Sequence, residues 1–515
     1  MKLDFKKNIK RNVAANAVSR GMALLFPFLN RTMFLWILGP KFLGLNGLFT
    51  AILGVLMLAE LGFGTAVICS MYKPIADDDR ELVCAYLNFY RKIYRWVGTI
   101  IFVAGLCLLP FLRSLVHGEL PPGINLHVLY LLHLVNTSLS YFLFAYRGSI
   151  LGAHHRNDVL TNIRTVTSVV QYIAVFLILL VKYLTPAQKY YGYVIATVFF
   201  TVIQNLLIMY ESKRLFPDIL PAGELPEERR KHVVSDVGSI FLHKIGTVIS
   251  YQIDNVVLSA FRGLVAVAAY GNYYYVYTAI AGIPAIIYSS MLGGFGNKLY
   301  TETREKNFEL FMRVWRMVGI IVIWCAAMML ALYPPFIEVW MGARSRKLVQ
   351  HFLTPALLVV LFYVNQSRQV LLTFKAAAGL WREDRWKPVA GGAVKLAVSL
   401  LSVLYLGDKY KLDGVILSSI VGYVLVQIPW ESNVVFTRFF DRQHRRTYWR
   451  NQLMFALLAL IPCAITLGTV LYIPVERTKG LILKGAVAAA VSTAVMFAIF
   501  GKELIEVLKK ALRRS

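Results

Sequence analysis

The chain is poor in charge. Only 16% of its 515 residues are Asp, Glu, Lys or Arg, against about 25% in an ordinary soluble domain. Acidic residues are the scarcest, 28 against 55 basic ones. Long polar stretches are almost missing, which excludes a soluble globular protein of this size. Cysteine is rare as well. Cys69, Cys84, Cys107, Cys325 and Cys463 are odd in number and have no CxxC spacing, so neither a disulfide framework nor a thiolate metal site is expected; they read as isolated apolar residues. The sequence has no P-loop, no HExxH and no Ser-His-Asp pattern. That removes an ATP motor, a zinc hydrolase and a serine hydrolase from consideration. No cofactor is expected, nor any catalytic role. The run Asp77-Asp78-Asp79 lies beside Arg80 and Glu81 and reads as a solvated loop rather than a metal site.

What fills the chain instead is apolar sequence, 57% of the residues, in runs long enough to span a bilayer. Fourteen spans are predicted, near residues 12–38, 43–70, 95–116, 126–150, 159–184, 190–211, 234–260, 270–296, 314–334, 351–376, 388–407, 413–437, 452–473 and 481–500. The fold class is therefore an all-α polytopic membrane protein. A Pro- and charge-rich stretch with Pro217, Pro221, Pro226 and Glu227-Glu228-Arg229-Arg230-Lys231 separates two halves. The expected organisation is a six-helix lobe over 1–211, a cytoplasmic linker over 212–233, a second, pseudo-symmetric six-helix lobe over 234–451, and an extra helix pair with a basic tail over 452–515.

The net charge of +27 could suggest nucleic acid, but the basic residues cluster between apolar runs, most of them on one side. That is the positive-inside pattern of a plasma-membrane protein with both termini in the cytoplasm. Residues Lys2 to Arg11 are basic and the apolar run after them is long, so it is expected to stay as the first span rather than be cleaved. The tail Lys502–Arg514 reads as a basic amphipathic helix or a solvated tail; the former would lie on anionic phospholipid.

A faint internal repeat accompanies the two halves. The second span contains Glu60-Leu-Gly-Phe-Gly64 and the eighth Leu292-Gly-Gly-Phe-Gly296, and each is expected to follow a tight turn bearing Asn46-Gly47 or Gly271-Asn272. Two related bundles are a transporter layout.

Ionisable residues inside spans are costly and ask for a reason. Arg147, Lys244, Lys375 and Glu431 fall near span ends, where snorkelling to the interface accounts for them. Arg31, Arg368 and Lys395 have apolar sequence on both sides, and Arg20 is intermediate. Arg20 and Arg31 are close to three helical turns apart, so both can line one face about 16 Å from each other. Arg368 sits in Asn365-Gln-Ser-Arg-Gln369, five polar residues that must face an interior. With Lys395 these make a positive cavity, suited to phosphate or carboxylate cargo. Asp254 and Glu60 are candidates for charge balance or proton coupling. Tyr270 and Tyr274 open the eighth span, as an interfacial belt or as a surface for sugar rings.

The stretches Ile37-Leu-Gly-Pro-Lys-Phe-Leu-Gly-Leu-Asn-Gly-Leu-Phe49 and Ala59-Glu-Leu-Gly-Phe-Gly-Thr-Ala66 resemble the first hairpin of the polysaccharide flippases, a family of the multidrug/oligosaccharidyl-lipid/polysaccharide (MOP) exporter superfamily. Gln252-Ile-Asp254 followed by Tyr270-Gly-Asn-Tyr-Tyr274 is similar to that family's second hairpin. The resemblance implies a two-lobed bundle with a central cationic cavity and alternating access. It implies an undecaprenyl-pyrophosphate-linked oligosaccharide as cargo; work alone and work beside a polysaccharide polymerase and other assembly proteins both stay open. Arg20, Arg31, Arg368 and Lys395 would contact the pyrophosphate or acidic sugars. The alternatives are a flippase for the peptidoglycan precursor, an organic-cation exporter of the same superfamily, and a membrane glycosyltransferase or ligase. The last needs a larger extracytoplasmic loop than residues 335–350 provide.

Overall fold

The computed structural model describes residues 5–60, 63–341, 345–378, 380, 383–474 and 477–512. Every regular element among them is helical. The order is α1 (Phe5–Leu38), α2 (Pro40–Leu56), α3 (Phe63–Ala76), α4 (Arg80–Leu108), α5 (Leu126–Phe142), α6 (Gly148–Ala153), α7 (Asn157–Leu180) and α8 (Pro186–Leu215). Then follow α9 (Glu227–Arg262), α10 (Leu264–Thr301), α11 (Arg304–Met341), α12 (Leu353–Ala377) and α13 (Lys387–Tyr405). The chain ends with α14 (Lys411–Val421), a π-helical turn Gly422–Gln427, α15 (Ile428–Arg438), α16 (Arg442–Leu471) and α17 (Arg477–Leu512). Each predicted span overlaps one of these helices or a consecutive run of them; the third, 95–116, outruns α4, which ends at Leu108. Among the described residues ten helices are long and apolar enough to cross a membrane, and the bent pair α5–α6 makes an eleventh. The protein is an all-α, multi-pass membrane protein. One face of α7, with Val166, Val170, Ile173 and Leu177, stands exposed, as a face turned to hydrocarbon must.

Among the described residues three spans are broken part-way, and α17 kinks at Phe500 (φ −118°, ψ 19°), where the fourteenth span ends. The second leaves α-geometry at a 3₁₀ turn, Met57–Glu60, before α3 begins; the glycines that follow Glu60 are poor helix formers. The fourth bends by 45° between α5 and α6. The twelfth widens into the π turn just ahead of Pro429. Proline cannot donate to the carbonyl four residues back and its ring collides with it, and a wider turn relieves the collision.

The contacts form two compact units, Met1–Ala268 and Ala269–Ser515. In the first, α1 packs on α7, α7 on α8, α4 on α5, and α2 on α9. In the second, α11 is the hub for α12, α16 and α17, while α13 packs on α14 and on the π turn. Asn46-Gly47 and Gly271-Asn272 are not turns; they lie inside α2 and α10. The breaks come earlier, each at a single glycine. Gly39 has φ 92° and ψ 176°, and Gly263 has φ 82° and ψ 179°. One residue of positive φ reverses the chain without the longer turn that an Asn-Gly pair suggests. The two hinges share one backbone conformation and stand at corresponding places, between spans one and two and between spans seven and eight.

Asp79 caps α4 by accepting from the Leu82 N–H at 3.0 Å, which gives the acidic triplet a structural use. Residues Leu61 and Gly62 of the first Gly-Phe-Gly motif, and the side chains of the second at 292–296, lie outside the described residues.

Candidate functional site

The second unit contains a buried cluster of charges. On α12 four of the five polar residues face protein: Asn365, Gln366, Ser367 and Arg368 are all at most 7% exposed, and Gln369 is half-buried. Asn365 donates to the Tyr277 hydroxyl at 2.9 Å, the Gln366 carbonyl accepts from Tyr288 at 2.9 Å, and Ser367 accepts from Gln452 at 3.0 Å. Arg368 forks onto Glu431 of α15, Nε to Oε2 at 3.1 Å and Nη2 to Oε1 at 2.6 Å. Lys387, at the start of α13, donates to the same Oε1 at 2.7 Å and pairs with Asp384 at 2.8 Å. Lys375 closes the chain by pairing with Asp384. All five groups are buried. Among the described residues the cluster joins three cations, Arg368, Lys375 and Lys387, to two carboxylates, Asp384 and Glu431.

The π turn packs against this cluster through Tyr423. The Arg368 guanidinium lies 4.6 Å from the centre of the Tyr423 ring, a cation–π arrangement. Lys395 of α13 is also buried, and its Cβ lies 3.6 Å from where a Cβ on Gly422 would be. A Cβ there would also be 3.3 Å from the Gly391 carbonyl, so a pair of glycines lets α13 approach the π turn closely. Arg368 and Lys395, picked separately from sequence, thus attend adjacent residues of one turn. Tyr270, Tyr274 and Tyr277 form a stacked ladder on α10, with ring centres 5.4 and 5.0 Å apart. Its last rung bonds to Asn365 of the α12 polar run.

The first unit holds the other candidates. Arg31 is partly exposed on α1, beside Tyr193 of α8. Arg20 is on the same helix, but its side chain lies outside the described residues, as does that of Lys244. Asp254 is 1% exposed on α9, the helix packed on α2 and α3. Glu60 sits at the break of the second span in the grip of two tyrosines. Tyr94 donates to Oε1 at 2.5 Å and Tyr141 to Oε2 at 2.7 Å. Hydrogen bonds to a charged group contribute about 1.5–3 kcal/mol each. Tyr94→Phe and Tyr141→Phe should each destabilise the protein by about that amount, and neither should matter once Glu60 is leucine. Unfolding curves of the singles and of the pairs with Glu60→Leu check this; equal losses in both backgrounds would count against the bonds.

Snorkelling does not describe Arg147, Lys375 or Glu431, which are 3%, 1% and 0% exposed. Nearness to a span end suggested the interface, but each has a partner at hand inside the protein. For Arg147 it is the Ile219 carbonyl at 3.3 Å. Lys387 and Asp384 were not foreseen as site residues, because a charged stretch around Trp386-Lys387-Pro388 resembles any cytoplasmic loop. Tyr94, Tyr141 and Tyr423 carry no sequence signal beyond being aromatic.

A family model described as polysaccharide biosynthesis protein matches residues 9–292. The chain belongs to the polysaccharide biosynthesis protein family. Comparison with curated proteins gives no significant match. In fold this family member is similar to the lipid II flippase MurJ in an inward closed conformation, with TM-score 0.65 and 14% identity over 96% of this chain and 99% of that one. It is similar to an inward-facing multidrug resistance MATE family transporter of the MOP superfamily, with TM-score 0.55 and 16% identity over 81% and 98%. A MOP superfamily transporter from Pyrococcus furiosus, distinguished by reverse polarity of its binding pocket, gives TM-score 0.53 and 15% identity over 84% and 96%. The chain therefore has the fold of the MOP superfamily.

Proposed function

We propose that this polysaccharide biosynthesis protein is a flippase that moves an undecaprenyl-pyrophosphate-linked oligosaccharide from the cytoplasmic to the outer leaflet by alternating access. The observation that carries the proposal is the gathering of four buried cations on α12 and α13, Arg368, Lys375, Lys387 and Lys395, with Arg368 against the π turn, in a membrane interior otherwise hostile to charge. They would repel an organic cation as cargo and attract a pyrophosphate. Arg20, Arg31, Arg368 and Lys395 are the proposed anion contacts, Tyr270 and Tyr274 the proposed sugar platform, and Glu60 and Asp254 the proposed coupling or balancing carboxylates. The proposal includes a plasma-membrane location with cytoplasmic termini and work alongside a polymerase. The peptidoglycan precursor is the second cargo to consider, since the similarity to MurJ extends over nearly the whole of both chains.

The test is translocation of a fluorescent undecaprenyl-pyrophosphate oligosaccharide in proteoliposomes. Arg31→Ala and Lys395→Ala should each slow the wild-type rate by about tenfold, one lost charge-assisted contact's worth, with protein still monodisperse. Lipid II placed in the same vesicles separates the two cargoes. Organic-cation export without movement of any lipid-linked glycan would reassign the protein to drug export.

A further inference from the structure

A cavity of about 460 Å³ opens between α11, α16 and α17, apart from the buried charge cluster. Its polar lining is of both signs: Arg313 and Arg316 against Glu309 and Glu503. The arginines are exposed and Glu503 is half-buried. Among the described residues none of the four has an ion-pair partner. They stand where three predicted spans meet the same bilayer surface, at the start of 314–334 and the end of 481–500, with Asn451 at the start of 452–473.

The other side of the cavity is apolar. Met317 and Ile320 line it, and the same stripe of α11 continues through Trp324 and Met328 into a second, apolar cavity of about 360 Å³. Residues 316, 320, 324 and 328 are four apart and so share a face. A polar mouth at the membrane surface over an apolar groove that runs into the hydrocarbon fits an amphiphile.

The signs say which amphiphile. Two guanidiniums spaced one turn apart suit a phosphodiester. Two carboxylates at the same mouth suit an ammonium, and they would repel a headgroup that is only anionic. A quaternary ammonium has no N–H to give them. We propose that this cavity holds a phospholipid with a primary-ammonium headgroup, of the phosphatidylethanolamine class. Arg313 and Arg316 hold the phosphate, Glu309 and Glu503 the ammonium, and an acyl chain lies along Met317, Ile320 and Trp324. The proposal does not depend on the cargo.

Native mass spectrometry of the full-length detergent-purified protein, with equimolar phosphatidylethanolamine, phosphatidylglycerol and phosphatidylcholine, tests it. Wild type should retain phosphatidylethanolamine about tenfold over either competitor. The Arg313→Gln/Arg316→Gln pair should lose retention of all three. The Glu309→Gln/Glu503→Gln pair should still bind lipid but turn toward phosphatidylglycerol. All four residues have solvent-accessible side chains, so folding is not at stake; an unchanged melting temperature confirms that. An unaltered lipid ratio in the glutamate pair, equal retention of phosphatidylcholine by wild type, or phosphoethanolamine without acyl chains competing as well as the lipid would each overturn the proposal.

Discussion

Glu431→Ala should cost about 3–5 kcal/mol of stability, the penalty for removing one partner from a buried ion pair. Glu431 is fully buried and is the common acceptor for Arg368 and Lys387. Its removal takes from Arg368 and Lys387 the carboxylate that they share. The cost is that of the stranded cation and not the net strength of the pair. Replacing both partners, in Arg368→Met/Glu431→Met, should therefore cost less than Glu431→Met alone, because no guanidinium is then left buried beside a missing carboxylate. Reversible unfolding in detergent reads both. A single-variant loss below about 1 kcal/mol, the range of an exposed pair, would mean that the cluster is solvated.

Gly44→Ala is the second large effect, expected at about 3 kcal/mol, the upper end of the usual overpacking range. A Cβ on Gly44 of α2 would stand 1.8 Å from the carbonyl oxygen of Leu264 and 2.6 Å from its carbon. These are backbone atoms and cannot rotate away. They lie just past the Gly263 hinge, which is itself close-packed, since a Cβ there would be 2.6 Å from the His117 carbonyl. The Ser259 hydroxyl donates to the Leu115 carbonyl at 2.6 Å beside it. Moving Leu264 aside would disturb that whole corner. Gly468→Ala, with open space around it, should be neutral or slightly stabilising by helix propensity. Comparable losses at the two sites would argue against close packing at Gly44.

The predicted spans coincide with helices because hydropathy is summed over some twenty residues and tolerates local error. Arg368 and Lys395 were legible as residues needing an interior, because apolar sequence flanks both. Their surroundings were not legible. The carboxylate that meets Arg368 is 63 residues away, and no periodicity connects α12 to α15. Glu431 and Lys375 looked interfacial for a related reason: distance from a span end is visible in sequence, whereas a neighbour across the bundle is not. The breaks were half legible. Glycine-rich stretches marked them, but which glycine takes positive φ depends on what it packs against, and at Gly263 that is a carbonyl of the loop after α4.

The same separation of 63 residues has a meaning for biogenesis. A ribosome adding roughly 5–20 residues per second delivers Arg368 about 3–13 s before Glu431. Throughout that interval Arg368 lacks the carboxylate that it meets in the folded protein, and Lys387, which arrives with Asp384, lacks the one the two cations share. Helix α12 cannot be released into lipid at once without the cost of an unpaired charge. It must wait in the insertion machinery, or at the headgroups, until α15 has been made, so that the two enter the bilayer as a neutralised pair. The order of synthesis thus ties the insertion of α12 to that of α15.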